Sequence, residues 1–221
     1  MQRHFLQELE TLKTNLIKMA SFAEDAIAEA IRAVLEHNKE LAESVIAKEQ
    51  RINSLEIEID DAVIDLLALQ QPVATDLRFI IAASKINNDL ERIGDHAVNI
   101  AQSAIKCAES ATLQPLPHIP KMAEITQTML RNAIDAFIRL DTALAHQVLK
   151  SDDLIDDLNK KIVADLVEVM QRDIPRINEA LELIRVSRNL ERVADLATNI
   201  AEEVIFTAEA RVVKHRAPDR Q

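Results

Sequence analysis

LERIGDHAVNIA, residues 90–101, and LERVADLATNIA, residues 190–201, are one helix written twice, with eight of twelve positions identical. In the first copy Leu90, Gly94, Ala97 and Ala101 recur at three- and four-residue steps and form one inward stripe. Apolar residues keep that helical spacing nearly everywhere outside the two copies, with no sustained alternation of the strand type. Pro72, after Gln70–Gln71, ends one helix and can sit in the first turn of the next. Pro175, after Arg172–Asp173–Ile174, does the same in front of the second copy. Asn38 and Asp141 are N-cap residues for two further helix starts. LQPLPHIP, Leu113–Pro120, is the strongest breaker in the chain and separates three helices from three. The spacing predicts helices near 2–36, 39–70, 73–111, 118–140, 142–171 and 174–210. The fold expected is all-α, two tandem pseudo-symmetric antiparallel three-helix bundles. Its expected boundaries are 1–112 for the first repeat, 113–120 for a linker, 121–210 for the second repeat and 211–221 for a basic tail.

Composition points the same way. The 221 residues include one glycine, Gly94, where average usage of about 7% would give roughly fifteen. Hairpin-rich sheets and phosphate-binding loops both need glycine, so both are disfavoured. The only aromatics are five phenylalanines, which leaves little for stacking on bases. A net charge of −11 repels nucleic acid and anionic membrane surfaces. The longest stretch without Asp, Glu, Lys or Arg is Ser110–Pro120, too short to span a bilayer, and MQRHFLQELETLK does not read as a secretory signal. The expectation is therefore a soluble intracellular protein with no direct membrane insertion. Cys107 stands alone, which suits a reducing compartment and reads as a small buried residue rather than a nucleophile.

The chemistry concentrates in acid pairs. Glu91 and Asp95, and likewise Glu191 and Asp195, stand at i and i+4 on one helix face, beside the inward stripe. The preceding helices repeat the spacing with Glu49 and Asn53, then Asp152 and Asp156. In an antiparallel pair, residues equidistant from the turn lie level. Residues 49 and 95, and 53 and 91, are equidistant from Pro72; residues 152 and 195, and 156 and 191, are equidistant from the Asp173–Ile174 bond. At about 1.5 Å per residue each cluster lies roughly 28 Å from its turn. Four oxygen-bearing side chains thus share one level in each half. The polar ladder of the first half continues through Glu56 and Asp60 towards Asn88 and Ser84, whereas the second half has Asn159 opposite Arg188.

Converging carboxylates repel unless protons, basic groups or a cation neutralise them. Oxygen-only donors suit Mg, Ca, Mn or ferric iron, and less specifically Zn. The other reading is a pair of solvated faces with Arg92 and Arg192 as local counter-charges. No Glu-x-x-His occurs, so a ferritin-like di-iron site is disfavoured. His96 can be a ligand or a surface residue; its repeat counterpart is Leu196. A metal-dependent hydrolase and a purely scaffolding bundle remain the alternatives to a metal-binding regulator.

The stretches QPVATDLRFIIAASKINNDLERIGDHAVNIA (71–101) and RNLERVADLATNIAEEVIF (188–206) resemble the PhoU family of phosphate-uptake regulators. HFLQELETLKTNLIKMA near the start and RVVKHR near the end extend the resemblance over essentially the whole chain. The resemblance implies two three-helix bundles in a flat arrangement. It implies metal ions, iron or zinc foremost, at Glu49, Asn53, Glu91 and Asp95 and at Asp152, Asp156, Glu191 and Asp195. It implies a non-enzymatic cytoplasmic adaptor that represses the phosphate-starvation response and contacts the sensor histidine kinase PhoR and the transporter ATPase PstB. A homodimer is the expected assembly, although helices of this length can also close within one chain. Asn53 and Leu196 depart from the family pattern.

Overall fold

The structure, a computed structural model, describes residues 2–110 and 118–211. Within them the chain forms seven α-helices: α1 (Gln2–Glu36), α2 (Lys39–Lys48), α3 (Gln50–Gln70), α4 (Ala74–Ser110), α5 (His118–Arg139), α6 (Thr142–Arg172) and α7 (Ile177–Glu209). No strand occurs among the described residues. Residues 113–117 of the expected linker, and the expected basic tail beyond Arg211, lie outside the described residues. The remaining linker residues, 118–120, are already helical, because Pro120 falls in the first turn of α5, where no backbone N–H is needed.

The turns repeat as the helices do. His37 and Leu140 both take the left-handed conformation, with φ of 50° and 51°. The next residues, Asn38 and Asp141, are extended N-caps whose side-chain oxygens accept from Leu41 N at 2.9 Å and Leu144 N at 3.0 Å. Asn38 N donates to Ala33 O and Asp141 N to Ala136 O, so one helix ends and the next begins in the same way in both repeats. The second hairpins differ in detail. Gln71 leaves α3 in the left-handed conformation, whereas Ile174–Arg176 forms a 3-10 turn around Pro175.

One helix expected as continuous is divided. The 39–70 segment breaks at Glu49, whose backbone stays helical (φ −52°, ψ −37°). Ile52 N and Asn53 N both donate to Glu49 O, at 2.9 and 3.2 Å, so the turn tightens there without a proline or glycine. The corresponding stretch of α6 runs unbroken through Asp152.

Each repeat closes as a three-helix unit: α1, α2/α3 and α4, then α5, α6 and α7. The units join along α4 against α7 and α1 against α5, while α3 and α6 lie on the flanks. One continuous core runs through both, with Ile86, Leu90, Ile93, Ala97 and Ile100 of α4 and Val186, Leu190, Val193, Ala197 and Ile200 of α7 all buried. At roughly 1.5–3 kcal/mol per buried aliphatic side chain, this shared core holds the two repeats as one body. Polar bridges set the antiparallel register of α4 on α7: Lys85 Nζ to Glu203 at 3.0 Å, His96 Nδ1 to Asn189 Oδ1 at 2.9 Å, and Lys106 Nζ to Glu182 at 3.0 Å. The side of α4 and α7 turned away from the core is open, and Lys85, Asn88, Arg92, Asp95, Arg185, Arg188, Arg192 and Asp195 are exposed on it.

Candidate functional site

Two carboxylate clusters border that open side, one between α2/α3 and α4, the other between α6 and α7. In the first, burial raises the pKa of Glu49, and a hydrogen-bonding and Coulombic interaction with Asp95 raises it further; Asn53, one turn along, works against this. Burial also raises Glu91, followed by repulsion from Asp95, Glu56 and Glu49, with Arg92 opposing. Glu56 is raised by burial and by the charges of Asp60 and Asp95. The first cluster is therefore larger than Glu49, Asn53, Glu91 and Asp95: Glu56 acts on it directly. Asp60 also accepts from Asn87 Nδ2 at 3.0 Å.

In the second cluster burial and then Asp195, Asp156, Asp153 and Glu191 push the Asp152 carboxyl up to about 6. Asp195 is raised by burial, Glu191 and Asp156, with Arg192 opposing. Glu49 thus meets Asp95, and Asp152 meets Asp195, at matching levels of the two hairpins. The rung beyond differs between the halves: Ser187 Oγ donates to Asn159 Oδ1 at 2.5 Å, whereas Glu56 stands at the place of Asn159 in the first half and Asn87 Nδ2 donates to Glu56 O and Asp60 Oδ1, both at 3.0 Å.

Partly buried carboxylates that raise one another's pKa values store repulsion, which a proton or a cation would relieve. In its donor chemistry the set suits a hard or borderline cation. As the side chains are placed, no group of three or more His, Cys, Asp or Glu among the described residues converges well enough to hold a metal ion.

His96 belongs to neither cluster. Its ring faces α7, with Nδ1 on Asn189 Oδ1, and burial lowers its pKa, the neighbouring Arg192 and Arg92 adding to that. Cys107 is buried, and desolvation, with Glu179 and Glu182 nearby, pushes its thiol up to about 12, so it stays protonated and unreactive. No described helix is long and apolar enough to cross a membrane.

Comparison with known proteins matches both repeats. The PhoU domain model covers residues 16–104 and again 119–204. A phosphate-specific transport system accessory protein PhoU homolog from Aquifex aeolicus is 41% identical over 210 residues, 95% of each chain. A homolog of the same description from Clostridium acetobutylicum is 35% identical, over 91% of this chain and 93% of its own. The crystal structure of PhoU from Pseudomonas aeruginosa superposes with a TM-score of 0.91 at 36% identity, covering 94% of this chain and all of that one. The phosphate transport system regulatory protein PhoU from Streptococcus pneumoniae gives 0.88 at 26% identity, over 95% of this chain and 99% of its own. Two PhoU domains in tandem, matched by relatives along nearly its whole length, make this chain a member of the PhoU family.

Proposed function

We propose that the protein is a metal-binding accessory regulator of high-affinity phosphate transport that represses the phosphate-starvation response without itself catalysing a reaction. The full-length similarity to proteins named as phosphate-specific transport accessory proteins supports the phosphate assignment. The observation that carries the mechanism is the pairing of carboxylates at equivalent places in the two PhoU domains, Glu49 with Asp95 and Asp152 with Asp195. Glu49, Asn53, Glu91 and Asp95 would hold a cation in the first groove, and Asp152, Asp156, Glu191 and Asp195 in the second, with iron or zinc the leading candidates. A bound cation would neutralise the repulsion and tie the flanking helix to the central one.

In this reading the protein is a cytoplasmic adaptor, active as a homodimer, between the sensor histidine kinase PhoR and the transporter ATPase PstB. Deleting the gene should raise starvation-gene expression in phosphate-rich medium; unchanged expression would rule out the repressor role. Elemental analysis of protein purified without chelator should find metal that a Glu91→Ala/Asp95→Ala variant loses in part. Metal-free wild-type protein would remove the cation from the proposal.

A further inference from the structure

The pseudo-twofold relation between α4 and α7 is broken beside His96. Residues 89, 92 and 196 correspond by repeat to 189, 192 and 96. On one side of the seam stand Asp89, Arg92 and Leu196, and on the other Asn189, Arg192 and His96. The second set lacks the carboxylate and gains an imidazole. Arg92 has Asp89 at 3.7 Å, whereas the amide Asn189 stands at the equivalent place beside Arg192. Among the described residues neither Arg188 nor Arg192 has a carboxylate oxygen within ion-pair distance.

The Asn189 amide is fixed at both ends. Its Nδ2 donates to Arg185 O at 2.8 Å and its Oδ1 faces His96 Nδ1 at 2.9 Å. Because Oδ1 can only accept, His96 carries its hydrogen on Nδ1, and Nε2 is left as the free ring nitrogen. The Lys85–Glu203 and Lys106–Glu182 bridges fix the register, in which paired residue numbers sum to 288, and this places Arg192 level with His96. Arg92 stands one turn from His96 on α4, and Arg188 one turn from Arg192 on α7; all three arginines are exposed. Both Arg92 and Arg192 act electrostatically on the His96 ring. The carboxylate that also acts on the ring, Asp95, interacts with Glu49 across the first groove.

We propose that Arg192, His96 and Arg92 form an oxyanion site on the open side of the α4–α7 seam, and that its ligand is inorganic phosphate as the monohydrogen species. Two guanidinium groups supply charge and forked donors for the oxygens. The free Nε2 accepts the P–OH hydrogen, a donor that sulfate does not have. A phosphomonoester above its second pKa, near 6, has none either. The choice of inorganic phosphate deepens the regulatory reading above, because it places phosphate on the regulator itself. The two are separable: failure to bind phosphate leaves the gene-deletion outcome untouched.

The test is calorimetric titration of the full chain with inorganic phosphate at pH 7.5 and constant ionic strength, alongside histidine ring NMR. Sulfate and phosphoserine are the comparison ligands. Expected is saturable phosphate binding that shifts the His96 Nε2 signal and exceeds binding of both comparison ligands. Arg192→Gln should weaken it about tenfold or more, the loss of a charge-assisted contact. His96→Leu, which installs the residue of the other repeat, should erase the preference over sulfate while the helical signal stays unchanged. Absence of saturable binding, equal binding of sulfate or phosphoserine, or an Arg192→Gln variant that binds like wild type would each overturn the proposal.

Discussion

Gly94 of α4 stands against Ile52 of α3 so closely that a Cβ added at Gly94 would lie 2.9 Å from Ile52 Cδ1 and 3.4 Å from its Cγ2. The only glycine of the chain is thus a contact residue between two helices, one position from Asp95 and three from Glu91. Its repeat counterpart, Ala194, is buried as well. Gly94→Ala gains about 1 kcal/mol of helix propensity but must push Ile52 aside, at about 1–3 kcal/mol for overpacking. The single variant should therefore be neutral to destabilised by about 2 kcal/mol, and Gly94→Leu considerably worse. In an Ile52→Val background the offending methyl is gone, and Gly94→Ala should stabilise by up to about 1 kcal/mol. Denaturant melts of the four members of this cycle measure the coupling.

The Asp152 carboxyl, raised from 3.8 to about 6 by burial and by Asp195, gives stability a particular pH slope. Between these values the folded chain keeps a proton that the unfolded chain has released. Unfolding then releases protons, so stability falls as pH rises through about 4 to 6, and the full penalty remains at pH 7. Burial and neighbouring carboxylates push Glu49, Glu56, Glu91 and Asp195 in the same direction. In chelator-treated protein, Asp152→Asn should raise Tm at pH 7 by about 2–4 °C, corresponding to about 1 kcal/mol once solvent screening is allowed for. The gain should shrink towards pH 4. Melts across that range decide it, and a lower Tm for Asp152→Asn at pH 7 would contradict stored repulsion.

What could be read from the sequence follows from which interactions are local. Pro72 and Pro175 mark the hairpins, and counting outward from them brings Glu49 to Asp95 and Asp152 to Asp195, because an antiparallel pair has a single register once its turn is known. The break at Glu49 leaves no such mark, being a change of hydrogen-bond acceptor within helical backbone. Glu56 lies on the ladder without an acidic counterpart, since Asn159 takes the matching rung, so the repeat pattern carries no sign of its place in the cluster. The His96–Asn189 bridge leaves no mark in the sequence for a different reason. It joins the two repeats, and no turn connects α4 to α7 to set their register.

His37 should be improvable. It holds φ at 50°, and both its ring nitrogens are buried without a hydrogen-bond partner among the described residues. His37→Gly relieves the left-handed strain of about 1–2 kcal/mol and removes the unpaired groups, against the extra freedom glycine gives the unfolded chain. A net gain of about 1 kcal/mol is expected. Asn38→Ala, one residue on, removes the cap on Leu41 N and should cost about 1 kcal/mol. Opposite signs at adjacent residues, read by thermal melts, test the turn geometry directly.

The bridge between Lys85 and Glu203 should behave as a buried-acid pair rather than a surface one. The Glu203 side chain is 3% exposed and that of Lys85 47%, with Nζ to Oε1 at 3.0 Å. The ammonium also lies 5.3 Å from the centre of the Phe206 ring. Lys85→Met keeps the aliphatic stem over that ring but removes one cation from beside the buried Glu203 carboxylate, at a cost of about 1–3 kcal/mol. Glu203→Gln alone should cost less, because an amide tolerates burial better than a carboxylate does. The double variant should recover much of the Lys85→Met loss, as expected when a buried charge pair is replaced whole rather than broken. Denaturant melts of the two singles and the double give the coupling energy. Additive losses would show that the acid draws its stability from neighbours other than Lys85.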